Sequence, residues 1–388
     1  MPWQEVSVVS QRAEFVALAQ QEGANVRALC RRFGISPPTA YKWLRRFERA
    51  GTLGLQDQSR RPQRSPTRTP PDVEAVVISL RDTHPAWGGR KLAAWLAAHD
   101  HTRVPRASTV TEILRRAGRL HSATPSSQAQ RWQRFERALP NQLWQMDFKG
   151  HVPLGQGAGR LHPLTILDDH SRFAIGLAAC ADERGSTVQQ RLIEVFRRYG
   201  LPDRMLMDNG SPWGVGPHAP HGCTHLGVWL LRLGIRLSHG RARHPQTQGK
   251  DERFHRTLRA ELLQGPPFAS LAGAQRAFDA WRDVYNLERP HEACGLEPPI
   301  GRYRPSERAY PEQLPAIEYG PDDQPRRVDK HGLISFRNRD YPVGLAFCGQ
   351  IVAVRPTQLD GLLDVYFVRQ RLRHIDLRQV SPEVHSQP

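Results

Sequence analysis

At Asn141 the spacing of apolar residues changes from every third or fourth position to short runs of strand character. This break restricts the chain to a helical N-terminal part followed by an α/β part. Strands are predicted at Leu143 to Phe148, Leu164 to Leu167, Arg172 to Ala178, Arg204 to Met207 and Ile235 to Ser238. Helices are predicted from Thr187 to Tyr199, around Leu226 to Leu233, from about Gln248 to Leu263, and near Ala272 to Tyr285. Three early strands joined by short turns, then strands alternating with helices, describe one α/β domain. Beyond Pro290 prolines become frequent, and the runs Leu333 to Phe336, Arg339 to Val343, Gln350 to Arg355 and Leu362 to Arg369 read as a meander of short strands.

Upstream of the break the punctuation is helical. A helix from about Val8 to Glu22 stops at Gly23, a short one follows the N-cap Asn25 to Phe33, and Gly34 makes a turn. Ser36 caps the third helix with Pro37 in its first position, and Ala40, Leu44 and Phe47 form its buried stripe. This is helix-turn-helix punctuation. Lys42, Arg45, Arg46 and Arg49 recur at i, i+3, i+4 and i+7 on another face, so the third helix presents a basic edge to a polyanion. Thr39 and Lys42 lie where such helices meet base edges, with the three arginines along the phosphates. Further helices are expected over Asp72 to Thr83, Gly89 to His99 and from the cap Ser108 to Gly118, with Arg106, Arg115 and Arg116 around the last.

Charge supports that reading. The chain carries a formal +17 with a pI near 10.5. Residues 1 to 140 hold 23 Lys and Arg against 11 Asp and Glu, a surplus of 12, whereas the remaining 248 residues have a surplus of only 5. Neutralising phosphates releases condensed counterions, so the N-terminal third is the expected nucleic-acid binder. No run approaches the roughly 18 apolar residues of a membrane span, and Met1 to Glu5 has no secretory pattern. A soluble, cytoplasmic protein is expected. The five cysteines are scattered and contain no C-x-x-C pair, so they read as reduced thiols.

The chemistry rests on acids. Asp147 ends the first strand of the α/β part, Asp208 closes the fourth where the chain turns, and Glu252 lies in the first turns of the helix beginning near Gln248. Carboxylates at strand ends project from the sheet edge, where ligand sites form. Three of them can hold two hard cations roughly 3.5 to 4 Å apart, one activating the attacking oxygen and one stabilising the leaving oxygen of a phosphodiester. Taken singly, each is equally well a turn residue or a surface charge. Asp168 and Asp169 sit at a strand-turn position and are expected to shape the turn through side-chain hydrogen bonds.

The run His244-Pro-Gln-Thr-Gln-Gly-Lys-Asp-Glu-Arg-Phe-His-Arg-Thr-Leu, with Trp144-Gln-Met-Asp147 and Met207-Asp208-Asn-Gly, resembles the DDE transposases of bacterial insertion sequences, relatives of retroviral integrases. Asp168 to Arg172, Tyr285-Asn286 and Arg289-Pro290-His291 extend the likeness from residue 141 to about 305. The resemblance implies that Asp147, Asp208 and Glu252 are catalytic residues and ligands of two Mg²⁺ or Mn²⁺ ions. Its Gly-Lys-x-Glu-Arg register favours Glu252 over the adjacent Asp251, since neighbouring helical residues point about 100° apart. Lys250, His255, Arg256 and Arg259 are the DNA contacts it suggests, the last three following Glu252 at i+3, i+4 and i+7, with Phe254, Leu258 and Leu262 as the buried stripe. One departure stands out: 43 residues separate Asp208 from Glu252, more than the family usually has. That loop carries His218, His221, Cys223 and His225, read as an insertion or DNA-contacting flap rather than a zinc site.

The fold expected is multidomain: all-α helix-turn-helix domains, an RNase H-like α/β core and a small all-β, SH3-like C-terminal domain. The boundaries expected are 1–55 for the first helix-turn-helix domain, 56–71 for a basic Pro-rich linker and 72–120 for a second helix-turn-helix-like domain. A linker at 121–140, partly helical around Trp132 and Phe135, precedes the core at 141–305 and the β-rich domain at 306–388. The implied function is a transposase that binds the terminal inverted repeats of its element and performs metal-dependent strand cleavage and strand transfer. Its partners would be double-stranded DNA, both element ends and target, and further copies of itself as a dimer or higher oligomer, within a bacterial nucleoid. The rival readings are a domesticated, non-catalytic DNA-binding regulator and a nuclease that only hydrolyses.

Overall fold

The structure is a computed structural model that describes residues 7–58, 68–99, 101, 103–120, 136–214, 223–240 and 249–378; of Gln156 only the backbone is described. The expectations for Trp132, Phe135, His218, His221 and the basic linker around Arg60 lie outside these residues. Two compact units are present, Met1–Arg68 and Thr69–Pro388.

The first unit is three helices, α1 (Val8–Ala19), α2 (Val26–Phe33) and α3 (Pro37–Ala50), closed by a 3-10 turn at Gly51–Leu55. Each helix begins at a side-chain cap that answers otherwise orphaned amides: Ser7, Asn25 and Ser36 each accept from the N–H three residues on. Gly34 ends α2 in the left-handed conformation that a tight turn between helices needs. Phe15, Val16, Cys30, Ala40, Trp43 and Leu55 form the core. Trp43 is flanked by two guanidiniums, Arg12 at 3.9 Å and Arg46 at 4.6 Å from its ring centre. Ala40 is buried as expected, but Trp43 lies deeper than Leu44 and Phe47, which are half-buried.

The second unit opens with α4 (Pro71–Thr83), α5 (Gly89–Ala98) and α6 (Ala107–Arg116), packed through Val77, Trp87, Leu92, Leu96, Val110, Ile113 and Leu114. Gly89 is where α5 meets α6: a Cβ there would stand 2.4 Å from Thr111 Oγ1 and 2.6 Å from the Ala107 carbonyl oxygen. Ser108 does not cap α6. The cap position is Arg106, whose extended backbone (φ −59°, ψ 150°) sets the start at Ala107, so Ser108 lies inside the first turn.

The core follows as β1 (Trp144–Phe148), β2 (Val152–Pro153), β3 (Arg160–Asp168), β4 (Ala174–Cys180), α7 (Gly185–Tyr199), β5 (Arg204–Met207), α8 (His225–Arg232), β6 (Arg236–His239), α9 (Gly249–Leu258) and α10 (Leu271–Leu287). The main sheet runs β4-β3-β1-β5-β6, with β2 added at the start of β3. β1, β3 and β4 pair antiparallel, whereas β5 and β6 run parallel to β1, so the carboxyl ends of β1, β4, β5 and β6 share one edge. This is the RNase H-like α/β layout. Period-2 alternation divides its side chains. Trp144, Met146, Leu164, Ile166, Met205 and Met207 pack against α7 and α8, while Leu161, Leu167, Ala174 and Leu177 pack against Phe254, Leu258, Phe278 and Trp281 of α9 and α10. The α9 expected as far as Leu263 stops at Leu258 and continues as a π-helical turn, Arg259–Leu263.

The C-terminal region is all-β: β7 (Gln324–Arg327), β8 (Leu333–Phe336), β9 (Arg339–Pro342), β10 (Ile351–Pro356), β11 (Leu362–Phe367) and β12 (Gln370–Asp376). β12-β11-β10-β7 form an antiparallel sheet and β8-β9 a hairpin. β7 and β12 were not anticipated; both are sheet edges, β7 largely exposed and β12 largely half-buried with Ile375 in the core, and both are written mainly in Gln, Arg and His rather than in alternating apolar residues. The core of this region includes Val228 and Leu231, which belong to α8. Among the described residues no helix is long and apolar enough to cross a membrane.

Candidate active site

Asp147 and Asp208 lie side by side because of strand register. β1 and β5 pair parallel through Trp144 with Met205 and Gln145 with Leu206, and each aspartate follows two positions beyond the last pair. Since Met146 and Met207 turn toward α7 and α8, alternation sends Asp147 and Asp208 toward the side that α9 covers. Burial, and next the charge of Asp208, raise the pKa of Asp147 from 3.8 to about 6. Asp208 is also raised, chiefly by burial, against the Gly210 amide that its Oδ1 accepts at 3.0 Å. Two half-buried carboxylates that resist ionising together are suited to a cation that relieves their repulsion. Their oxygen donors are of the type a hard divalent ion prefers. Among the described residues, however, no three His, Cys, Asp or Glu side chains are gathered closely enough to hold a metal ion, so a third donor has to be brought to the pair.

α9 presents its candidates differently from the expectation. Glu252 is exposed in the first turn, and Arg253, Arg256 and Arg259 share that exposed side. Asp251 is buried at 1% exposure, and burial together with the nearby charge of Asp147 pushes its pKa well above the carboxylate range. His255, anticipated on the DNA-facing side, is buried with Phe254 and Leu258. Its Nε2 stands 2.8 Å from Thr165 Oγ1, and that hydroxyl donates to the Asp147 carbonyl oxygen at 3.0 Å. Because the hydroxyl proton is committed to the carbonyl, the imidazole is the donor in the first bond. Burial lowers the pKa of His255 to about 4, so the ring is neutral. Lys250, also anticipated at DNA, is ion-paired with buried Asp169 instead.

Asp168 and Asp169 organise the turn as expected. Asp168 accepts from the Ser171 amide and hydroxyl and from the Asn141 amide; Asp169 accepts from the Arg137 amide and Gln145 Nε2, each at 2.8 Å, and from Lys250. In α3, Lys42, Arg45 and Arg49 are exposed. Arg46 is drawn inward, its Nη2 donating to the Gln56 carbonyl at 2.7 Å, and Thr39 is half-buried with its hydroxyl 2.9 Å from Ser36 Oγ. The expected phosphate role of Arg46 thus meets a guanidinium already employed in closing the helical unit. Cys223 packs against the C-terminal core rather than facing solvent as a ligand, and burial pushes its thiol up to about 12.

Glu183 was missed in the sequence. It follows β4, and its charge raises both Asp147 and Asp208 while its Oε1 lies 2.7 Å from His162 Nδ1. The signal was available: Asp182 and Glu183 lie two and three residues beyond the end of β4, close to a strand end as Asp147 and Asp208 are. Recognising it required knowing that β4 runs in the same direction as β1.

Five family models match parts of the chain. Integrase core domain models cover residues 137–245 and 233–299, and a model of the IS481 family transposase C-terminal domain covers 323–383. Helix-turn-helix and homeodomain-like models cover 11–63 and 39–114. The chain is 27% identical over 254 residues to the insertion element IS476 uncharacterized 39.2 kDa protein of Xanthomonas euvesicatoria, covering 63% of this chain and 68% of that one. It is 27% identical over 234 residues to the insertion element IS407 uncharacterized 31.7 kDa protein of Burkholderia multivorans, with 58% and 79% covered. Among solved structures, the magnesium-bound catalytic core domain of HTLV-2 integrase aligns at 15% identity and a TM-score of 0.32, over 43% of this chain and 99% of that one.

Proposed function

We propose that this chain, an insertion-sequence transposase with helix-turn-helix domains and an integrase-type core, cuts DNA at the ends of its element and joins the freed 3′ ends to target DNA. The observation that carries the proposal is the adjacency of Asp147 and Asp208 at the carboxyl ends of parallel β1 and β5. A regulator that only bound DNA would have no physical use for two mutually repelling acids held there.

In this reading Asp147 and Asp208 would hold two Mg²⁺ or Mn²⁺ ions, with Glu252, exposed in the first turn of α9, as the third carboxylate. The ions, when bound, activate the attacking oxygen and stabilise the leaving one. Asp147 is fixed for that task through its backbone, since Thr165 and His255 anchor its carbonyl to α9. Glu183 adds negative charge beside the pair and is itself held by His162. Phosphoryl transfer of this kind proceeds by in-line displacement: water attacks one phosphodiester and releases a 3′-hydroxyl, which then attacks another, so no Ser, Cys or Tyr nucleophile is required.

Sequence recognition of the terminal repeats is assigned to the N-terminal helices. Lys42 is the residue nearest base edges, Arg45 and Arg49 lie on phosphates, and Arg256 and Arg259 of the core run beside the cut end. Two ends must be brought together, so the working form is a dimer or higher oligomer acting on bacterial DNA in the cytoplasm. The test is to incubate the full chain with duplexes carrying the sequences that flank its gene, with Mg²⁺ and with EDTA. Metal-dependent 3′ nicking followed by joined products is the expected result. Binding without cleavage would favour the regulator, and nicking without joining a nuclease.

A further inference from the structure

Asp251 buries a carboxylate that the fold does not use. It is 1% exposed, and neither of its oxygens has a hydrogen-bond partner. The other fully buried acids nearby are the opposite case: Asp168 and Asp169 accept from backbone amides, hydroxyl, amide and ammonium donors on several sides. Removing an acid from water without a partner is costly, and in a native protein such a group calls for an explanation, an ion among them.

Geometry says where the ion would be. Strand alternation turns Asp147 and its register partner Thr165 toward the α9 side of the sheet. His255, one helical turn beyond Asp251 on the same side of α9, is bonded to Thr165. That bond fixes the buried side of the first turn of α9 over the end of β1, and Asp147 is the acid whose charge Asp251 feels most. Glu252, pointing about 100° away, is exposed.

We propose that Asp251 is a fourth carboxylate of the metal centre, which joins Asp147 on a divalent cation when one is bound. This rests on the metal-dependent reading above. Its oxygens are uncommitted and already inside the protein, and a bound cation would draw them and Asp147 together, since no three such side chains are gathered among the described residues without one.

The experiment titrates Mn²⁺ into the full chain, read by electron paramagnetic resonance of the free ion and by the rise in Tm that Mn²⁺ produces. Wild type is compared with Asp147→Asn, Asp251→Asn and Asp251→Val, the valine testing the same loss without leaving a polar group buried. Both Asp251 variants should bind Mn²⁺ at least about tenfold more weakly, as happens when groups that orient or complete a metal site are lost. Their metal-free Tm should stay at or above that of wild type, since no hydrogen bond is removed, while the Mn²⁺-induced rise shrinks. A purely structural acid would give the reverse, an altered metal-free Tm with the Mn²⁺ increment intact. Wild-type Mn²⁺ affinity in either Asp251 variant, with loss in Asp147→Asn, overturns this inference and leaves the proposed function standing. A wild-type chain that binds no Mn²⁺ overturns both.

Discussion

α3 and α9 are both short basic helices whose apolar residues recur at helical spacing, yet they use their polar residues in opposite ways. In α3 the polar and apolar sides separate almost cleanly: Ala40 and Trp43 are buried, Lys42, Arg45 and Arg49 are exposed, and among the basic residues only Arg46 turns inward. In α9 the buried side carries Asp251 and His255 alongside Phe254 and Leu258. The cause lies in what each helix covers. α3 packs on two other helices through an apolar core, whereas α9 covers a sheet whose edge already holds Asp147 and Thr165. A helix laid over a site needs polar groups on its inner side, so polarity alone does not mark its outer one.

The largest effect should come from the pair itself. Asp147→Asn or Asp208→Asn should reduce Mg²⁺-dependent end cleavage by about 10³-fold or more, with end binding by gel shift unchanged. Residual cleavage close to wild type in either variant would remove that aspartate from the centre.

Next, His255 and Arg256 separate the two sides of α9. His255→Ala should lower cleavage by about 10- to 100-fold through loss of the link to Asp147, with DNA affinity retained. Arg256→Ala should leave the metal site alone and weaken DNA binding, reducing the salt slope by about 1. If His255→Ala instead weakened binding and spared cleavage of bound ends, α9 would not divide its inner and outer sides in this way.

Smaller effects are expected in α3. Lys42→Ala should narrow the gap between end and scrambled duplexes by about 1 to 3 kcal/mol, while Arg49→Ala should weaken both alike. Competition titrations at two salt concentrations decide it; an unchanged specificity ratio for Lys42→Ala would show that α3 does not read bases.

The smallest effect is one of pH. Asp147 is raised in the folded chain from 3.8 to about 6, so the metal-free fold is favoured at low pH with respect to this group and loses that contribution as pH rises through about 6. Metal binding needs the carboxylate, so the Mg²⁺-induced rise in Tm should grow over the same interval. Asp147→Asn should flatten both trends in thermal melts between pH 4.5 and about 7.5.

Much of this architecture was legible because local signals agreed. Ser7, Asn25, Ser36 and Gly34 act as helix punctuation, and the core strands lie within a few residues of their apolar runs. The acids at strand ends were visible as such, and Asp147 and Asp208 do meet. What escaped depended on neighbours distant in sequence. The inward side of α9 is set by Thr165, some ninety positions earlier. Lys250 is claimed by Asp169, and Arg46 by the carbonyl of Gln56, neither of which a periodic pattern on one helix can announce. Glu183 required the direction of β4, and β7 and β12 required knowing that sheet edges tolerate polar residues.

α8 has one side in the catalytic core, through Leu226 and Leu230, and the other in the C-terminal core, through Val228 and Leu231. During synthesis, then, the helix that precedes β6 emerges with half of its apolar surface uncovered, and the strands that cover it are made about a hundred residues later. The outer side of α8 is thus covered only once the C-terminal strands are made, and a chain that stopped before them would leave the core with an open apolar flank. The same dependence sets the unit of inheritance: an exchange between related elements that brings in a new C-terminal sheet has to bring a matching α8 with it.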